Sequence, residues 1–567
     1  MKKIRIYYQI FFLFLFFLLL YLAAQGNLKG YPVTVLLDSS PLNALGALFS
    51  SWNVAHTMWL GFVILALSFF LGRFFCSFIC PLGTIFHFVS WLSQNKKISE
   101  KIKVNKYSFL QIYKFSLLII LLTCALFGGL QIGLFDPISL LTRTSAVFIY
   151  PAIDSKLFAG GNYVFPTAPL IVAFFTLILL LNVYRPRFWC RYVCPLGALL
   201  GLAAKVTPGG LVRDEKKCTN CGLCTSKCVG ACEPEKTVIK SECLMCFNCV
   251  DICSEKAIEW KWLNPPCPLY KRGNEIHQGG KDGVVPTKNP ILDKEGCPQD
   301  GVVPVIQQPN NPSTFSNNPS NEITCACRTV IQESNSSEKN PPDSPFRKGG
   351  VNRRLFIGSI IGGIGSFFAL RLGGATAKRG YEKRIRPPGS LNEEEFLARC
   401  LKCGECVKIC PTNGIQPAIS EAGVEGFLSP ILKMEIGYCE LNCTLCGQVC
   451  PTGAIERIKI ADKVGGKDNP PIKMGTAFVD RSRCIPWTLG RECLVCQEVC
   501  PVSPKAIYEV EEEMEFRGKI IKIKRPYVDY EKCIGCGLCQ HECPITDKAG
   551  IRVTSVGESR AGDSFVL

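Results

Sequence analysis

Residues 400–411 read CLKCGECVKICP, and the spacing C-x2-C-x2-C-x3-C that they carry decides how most of the chain is built. The same frame recurs at Cys218, Cys221, Cys224 and Cys228, at Cys243, Cys246, Cys249 and Cys253, and at Cys533, Cys536, Cys539 and Cys543. Two further sets stretch the first gap: Cys439, Cys443, Cys446 and Cys450 by one residue, and Cys484, Cys493, Cys496 and Cys500 to eight intervening residues. With Cys400, Cys403, Cys406 and Cys410 these are six sets of four, 24 of the 34 cysteines. A structural zinc site uses four ligands in two separated pairs. Here the third and fourth thiols follow too closely, and disulfides between them would close strained short loops.

Three closely spaced thiolates followed by a fourth is the bacterial ferredoxin pattern for [4Fe–4S] clusters, in which the fourth Cys commonly ligates the neighbouring cluster. Pro411, Pro451, Pro501 and Pro544 follow the fourth Cys of the last four sets, and their fixed φ ends the turn. The first two sets are a close pair, so Cys228 is expected on the cluster of the second set and Cys253 on that of the first. Neither is followed by Pro. In the last four sets, adjacent pairing and nested pairing both fit the spacing. Gly453-Ala454-Ile455 and Lys505-Ala506-Ile507 read as the short strands that close ferredoxin halves.

The chain has 567 residues, 47% of them hydrophobic, a formal charge of +17 and four His. Size excludes a small disulfide scaffold. The absence of Cys-x-x-Cys-His argues against haem c. Residues 7–24, 56–72, 112–134 and 168–184 are apolar runs close to the bilayer-spanning length of about 20 residues. Positive charge gathers at Lys2, Lys3 and Arg5, from Arg73 to Lys106, and at Arg185, Arg187 and Arg191, whereas Lys29, Arg143 and Lys156 are all that the other two loops carry. This bias is read as topological rather than as a nucleic-acid surface, and it puts the N-terminus and the segments after the second and fourth runs in the cytoplasm.

The same region repeats internally. Residues 73–83 read RFFCSFICPLG and residues 187–197 read RFWCRYVCPLG, each after an even-numbered apolar run, which implies two duplicated helical hairpins. Cys76, Cys80, Cys190 and Cys194 in these copies are candidates for a seventh cluster or a dithiol at the membrane surface, against the plainer reading of small cysteines packed beneath Pro-Leu-Gly turns. Cys124 reads as core. Cys232, Cys267, Cys297, Cys325 and Cys327 receive no chemistry.

The expected organisation is a four-helix membrane domain over 1–210, a cytoplasmic two-cluster ferredoxin domain over 211–264, a Pro-, Asn-, Ser- and Gly-rich disordered linker over 265–350, a signal or anchor helix over 351–377, and an extracytoplasmic four-cluster domain over 378–567. The fold class is thus an α-helical membrane domain, with four helices plus a fifth short one, carrying α+β dicluster ferredoxin-like domains. Arg353, Arg354 and Phe356 before the weakly apolar Leu355–Leu370 run read as a twin-arginine export signal; an ordinary positive flank on a membrane helix is the rival. Ala375-Thr376-Ala377 fits an A-x-A cleavage site, and a retained anchor is the other outcome.

Residues 1–264, with the paired C-x3-C-P-L-G motifs, Phe135-Asp136-Pro137 and the two-cluster run, resemble the NapH-like membrane ferredoxin-type subunits of periplasmic nitrate reductase systems. Residues 351–567 resemble their exported NapG-like and MauM-like partners. The resemblance implies a relay in a bacterial inner membrane. It takes electrons from the quinone pool and delivers them to an extracytoplasmic reductase or cytochrome, and the exported part crosses by the twin-arginine translocase. No substrate-converting constellation is visible. His87 and Trp91 are candidate quinone contacts one to three helical turns after the first Cys-Pro. Two alternatives stand beside the relay: a polyferredoxin that matures or maintains another metalloenzyme, and the electron-transfer subunit of a reductase whose catalytic chain is separate. Each oxidised cluster with four thiolates carries about −2, so six clusters bring the formal charge down to about +5.

The export reading makes a direct prediction. A reporter fused after Leu567 is active outside the cytoplasm, and Arg353→Lys with Arg354→Lys abolishes that activity; an unchanged signal refutes twin-arginine export.

Overall fold

The computed structural model describes residues 2–24, 33–52, 58–92, 97–152, 163–262, 353–372 and 383–560, apart from 467–469, 517 and 546. The expected linker, its four cysteines and the Ala375–Ala377 motif lie outside the described residues.

The principal helices are α1 (Lys2–Ala24), α2 (Trp59–Leu71), α3 (Pro81–Leu92), α4 (Tyr113–Leu126), α5 (Ala168–Tyr184), α6 (Pro195–Lys205) and α7 (Arg353–Leu372). Three stretches among the described residues, Lys3–Ala23, Phe109–Leu126 and Arg353–Arg371, are long and apolar enough to cross a membrane. Helices α2 and α5 are apolar but shorter. Their outer faces stay apolar, with Phe14 on α1, Phe70 on α2 and Leu180 on α5 exposed, as expected of helices whose surroundings are not water.

The glycines that make the Leu355–Leu370 run weakly apolar have a packing role. α7 lies along α4, and a Cβ at Gly363 would stand 2.7 Å from Thr123 Cβ, so only glycine allows this approach. Phe367 packs against Phe127 beyond the end of α4, the rings tilted and their centroids 5.4 Å apart.

The loop motif Phe135-Asp136-Pro137 proves to be a helix start inside the bundle. Asp136 caps the Pro137–Thr144 helix, accepting from Ser139 N at 2.9 Å and Ile138 N at 3.1 Å, while Pro137 occupies the first helical position. Ser40 Oγ (2.8 Å) and Asn43 Nδ2 (3.3 Å) complete its partners, so the fully buried carboxylate ties two short helices together.

Each cysteine frame folds alike. Its third cysteine sits on a short helical turn: Leu223–Ser226, Asn248–Ile252, Glu405–Ile409, Leu445–Gln448, Val495–Glu498 and Leu538–His541. Gly222, Gly404 and Gly537 enter that turn with φ of 71°, 85° and 84°, a conformation cheap only for glycine. Phe247 makes the same turn without that freedom, at φ 57°. The two frames with a lengthened first gap enter from Thr444 and Leu494 at negative φ, −133° and −122°, instead.

All strand pairs among the described residues are antiparallel. β1 (Gly209–Arg213) pairs β2 (Ile258–Trp262) and brackets the first two cysteine sets. In the C-terminal region β3 (Ile415–Pro417) pairs β4 (Pro430–Leu432), and β5 (Thr476–Val479) pairs β8 (Ile551–Thr554). The expected closing strand at Lys505-Ala506-Ile507 is longer than the motif suggests: β6 (Ile507–Phe516) and β7 (Lys519–Val528) form a ten-residue ribbon. Glu509–Lys524 (3.0 Å) and Glu512–Arg525 (2.6 Å) pair across it. Ile455 makes only a bridge to Ser390.

The C-terminal region is pinned by Glu393. Its carboxylate meets Arg386 at 2.6 Å, Arg560 at 3.3 Å and Arg384 at 3.6 Å. Burial works against its charge, but the Arg386, Arg384 and Arg560 guanidinium groups prevail and hold its pKa at about 2, below the usual 4.5. This stabilisation is complete above about pH 4.5 and disappears as the pH falls toward 2. Glu393→Gln is expected to cost about 2 kcal/mol at pH 7 and to flatten the acid limb of the unfolding profile, measured by thermal melts of the full chain in detergent between pH 2 and 7.

Candidate functional site

The fold collects the cysteine sets by exchanging fourth members. Cys400, Cys403 and Cys406 line one cavity of about 410 Å³ together with Cys450. Cys533, Cys536 and Cys539 share another of about 330 Å³ with Cys500. A third, of about 350 Å³, is lined by Cys484, Cys493, Cys496 and Cys543. Cys410 in turn is the electrostatic neighbour of Cys439 and Cys446. Of the two pairings that the spacing allows, the geometry therefore has the adjacent one. Cys439 N also donates to Cys536 O at 2.8 Å, so the four groups form a row that begins with the Cys400 group and ends with the Cys484 group.

In the first pair Cys228 lies among Cys243, Cys246 and Cys249. Cys218 and Cys224 are half-buried and Cys221 is exposed. Cys232, given no chemistry from the sequence, is buried with its Sγ 3.4 Å from Cys228 Sγ. The contact between the two sulfurs, against the effect of burial, holds the Cys228 thiol below its usual range.

In the C-terminal sets burial dominates. It pushes the Cys400, Cys439 and Cys484 thiols up to about 11, and Cys496 and Cys536 to about 12. Thiols in such surroundings ionise when a cationic metal centre takes them as ligands. Main-chain amides already point at several sulfurs: Ile455 N to Cys450 (3.4 Å), Ala477 N to Cys533 (3.4 Å), Gly550 N to Cys543 (3.3 Å) and Ala257 N to Cys253 (3.3 Å). Such amide–sulfur contacts set cluster potentials. The cavities, thiols and amides suit [4Fe–4S] clusters. Among the described residues no three ligating side chains stand close enough to hold a single metal ion.

The basic residues of the helical region are not where a purely topological reading puts them. Arg5, Arg73, Arg187 and Arg191 are buried, as is Lys114. Arg5 donates to Cys246 O at 2.8 Å, Arg191 to Val229 O at 2.9 Å, and Arg73 to Ser241 O at 2.9 Å. Glu242 takes Lys114 at 2.5 Å and Arg73 at 3.6 Å. These side chains seat the two-cluster segment on the bundle beside the start of α4. At the other end of α4, Lys402 Nζ donates to Leu130 O (3.1 Å) and Gln131 Oε1 (2.6 Å), and Arg143 donates to Lys402 O (2.9 Å). The two cluster regions thus occupy opposite ends of α4. The repeated motif carried a signal for two of these residues, since Arg73 and Arg187 hold matching positions in its two copies. Glu242, Arg143 and Lys402 had none.

Cys76, Cys80, Cys190 and Cys194 are buried in the bundle core, and Cys124 is buried on α4 apart from them. Arg353, Arg354 and Phe356 lie on the first turn of α7, both arginines and Phe356 exposed. His87 and Trp91 of α3 border a cavity of about 280 Å³ whose far wall includes Ser226, Asn248 and Asp251.

Residues 55–99 and 167–213 match the family described as "4Fe-4S binding domain", and residues 399–454 and 491–546 the one described as "4Fe-4S dicluster domain". The chain is 35% identical over 180 residues to the methylamine utilization ferredoxin-type protein MauM of Methylorubrum extorquens, covering 31% of this chain and 76% of that protein. It is 32% identical over 202 residues to the ferredoxin-type protein NapG of Escherichia coli (35% and 83%). The ferredoxin-type protein NapH of the same organism matches at 29% over 252 residues (41% and 77%). No solved structure matches.

Apolar helices joined to ferredoxin-type cysteine frames define a membrane iron–sulfur protein of electron transfer. Within that class the chain belongs to the ferredoxin-type proteins of the NapH and NapG/MauM kind, with both kinds fused in one polypeptide.

The exchanged pairing is testable by spectroscopy. Cys450→Ser is expected to alter the EPR signal that Cys403→Ser also alters, and Cys410→Ser the one that Cys443→Ser alters. Nested pairing would couple Cys403 with Cys543 instead.

Proposed function

We propose that the chain carries six [4Fe–4S] clusters and relays electrons from membrane quinol to an extracytoplasmic redox protein. The observation that carries this reading is the unbroken row of four cysteine groups whose first member, the Cys400 group, is seated on the bundle by Lys402 and Arg143. In this reading the first cluster is held by Cys218, Cys221, Cys224 and Cys253, and the second by Cys243, Cys246, Cys249 and Cys228. The others are held by Cys400, Cys403, Cys406 and Cys450; by Cys439, Cys443, Cys446 and Cys410; by Cys484, Cys493, Cys496 and Cys543; and by Cys533, Cys536, Cys539 and Cys500. Bound clusters supply one-electron transfer without making or breaking bonds.

The protein's own residues set where electrons enter and leave. The cavity beside His87, Trp91, Lys101 and Asp251 is large enough for a quinol headgroup and adjoins the second cysteine set through Asn248. His87 Nε2 stands 3.2 Å from Arg5 Nη2, and Arg5 in turn grips the Cys246 carbonyl. Quinol oxidation releases two electrons, which pass one at a time to the clusters, and two protons, of which the Asp251 carboxylate on that wall accepts one at a time and hands each to the water at the open mouth of the cavity. The far end of the row, the Cys484 group, is the exit toward the partner. The N-terminus and two-cluster segment lie in the cytoplasm of a bacterial cell and the four-cluster region outside it. α7 spans the membrane after export by the twin-arginine translocase.

Quinol addition to anaerobic membranes containing the chain is expected to produce reduced-cluster EPR signals, and Trp91→Ala with Asp251→Asn to slow their appearance at least tenfold. Clusters that remain EPR-silent on quinol addition, yet respond to dithionite, refute quinol as the donor.

A further inference from the structure

The frame that runs from Cys439 to Cys450 carries one extra residue in its first gap, which reads Glu440-Leu441-Asn442. After Pro451 the chain doubles back over this frame. Gly447, on the turn Leu445–Gln448, lies so close beneath Glu456 O that a Cβ there would collide with it. The chain then forms a short helix, Ile460–Val464, in which Asp462 accepts from Lys459 N at 3.1 Å and Gly465, at φ 80°, follows the last turn. Lys459, Ala461 and Asp462 are exposed, whereas the Lys463 side chain is fully buried.

Lys463 Nζ donates to Glu440 O at 2.5 Å and to Cys443 O at 2.7 Å, so the loop made by the longer gap closes around the ammonium. The same group is a hydrogen-bond partner of the Cys439 thiol and acts electrostatically on Cys446. Its two oxygen acceptors are main-chain carbonyls and not carboxylates, and a positive charge withdrawn from water in this way is costly unless an anion shares the site. Residue 463 lies outside 399–454 and 491–546, the segments that match the dicluster family, so the lysine is an addition to the common frame.

The next group in the row is served differently. The basic side chain that acts on Cys533 is Lys473, whose Nζ stands in the open and donates to Tyr530 O at 2.9 Å. Water and salt screen a charge placed there and do not screen Lys463.

We propose that Lys463 raises the reduction potential of the cluster held by Cys439, Cys443, Cys446 and Cys410 above that of the Cys533 group beyond it, so that electrons collect at this second position of the row until an oxidised partner draws them on. The inference rests on the six-cluster relay reading. Reduction adds one negative charge to a cluster that is already anionic, and the adjacent ammonium stabilises the more negative state. One electron arrives and one leaves, with no bond made or broken and no proton moved. The extra residue of the first gap is the cradle of this lysine, because its loop supplies the carbonyls that hold the charge beside the sulfurs.

The test is a redox titration, followed by EPR, of the full-length chain purified anaerobically in detergent. The component altered in Cys443→Ser identifies this cluster, and the one altered in Cys536→Ser identifies its neighbour. Lys463→Gln and Lys463→Met are expected to keep their iron and acid-labile sulfide and to lower the midpoint of the first component alone, by at least about 59 mV, a tenfold change in its reduced-to-oxidised ratio at a fixed potential. Lys463→Arg is expected to hold the midpoint near the wild-type value, and Lys459→Gln, on the exposed side of the same helix, to change nothing. An unshifted midpoint in both neutral variants, or an equal shift of every component, would overturn the proposal. If neither neutral variant keeps the cluster, the order in the wild-type chain decides: a Cys443-dependent midpoint at or below the Cys536-dependent one overturns it. A wild-type chain without any iron–sulfur signal would overturn the relay reading itself, and this proposal with it.

Discussion

Buried positive charge organises this molecule. Arg5, Arg73, Arg187, Arg191 and Lys114 are all withdrawn from solvent around the start of α4, and Glu242 is the carboxylate that meets two of them. Arg143 and Lys402 are withdrawn in the same way at its other end. A core that buries cations in excess is stable only when something anionic lies among them. Thiolate-ligated clusters are anionic, and every one of these cations touches or faces a cysteine segment. The charge that looks like basicity in the composition is thus the complement of charge that the cysteines acquire on binding iron.

The same contacts fix the relative placement of the parts. Arginine forks that donate to main-chain carbonyls hold a loop by its backbone and tolerate varied side chains in it. Arg5 on Cys246 O, Arg191 on Val229 O and Arg143 on Lys402 O all work this way. The 18-residue stretch Phe109–Leu126, about 27 Å long at 1.5 Å per residue, separates the two cluster regions. The packing of α7 against α4 through Gly363 brings the C-terminal region back to the far end of that helix. A small residue in a weakly apolar run therefore decides where the C-terminal half sits.

Much of the chemistry was legible in the sequence, because cysteine spacing is a local property. The frame C-x2-C-x2-C-x3-C brings three sulfurs onto one tight turn, and the structure adds that Gly222, Gly404 and Gly537 let the chain make it. The duplicated RFFCSFICPLG and RFWCRYVCPLG likewise announced two equivalent hairpins, since a repeat needs no tertiary information to be seen. The length of the β6–β7 ribbon was not read from the sequence, although Tyr508, Val510, Met514 and Phe516 alternate with glutamates along β6; cross-strand charge pairs add to the hold.

What the sequence could not decide was every relation between distant segments. Spacing allowed adjacent or nested exchange of fourth cysteines, and only the folded chain puts Cys450 in the cavity of Cys400 and Cys543 in that of Cys484. Positive residues near apolar runs read equally well as topological charges; burial beside cysteines is a tertiary fact, decided by how the hairpins cross. The two C-x3-C-P motifs lie more than a hundred residues apart, and only in the folded chain do Arg73 and Arg187 reach across between the two copies. Local covalent spacing sets which atoms can bind iron, and long-range packing, with the charge it must neutralise, sets which of them meet.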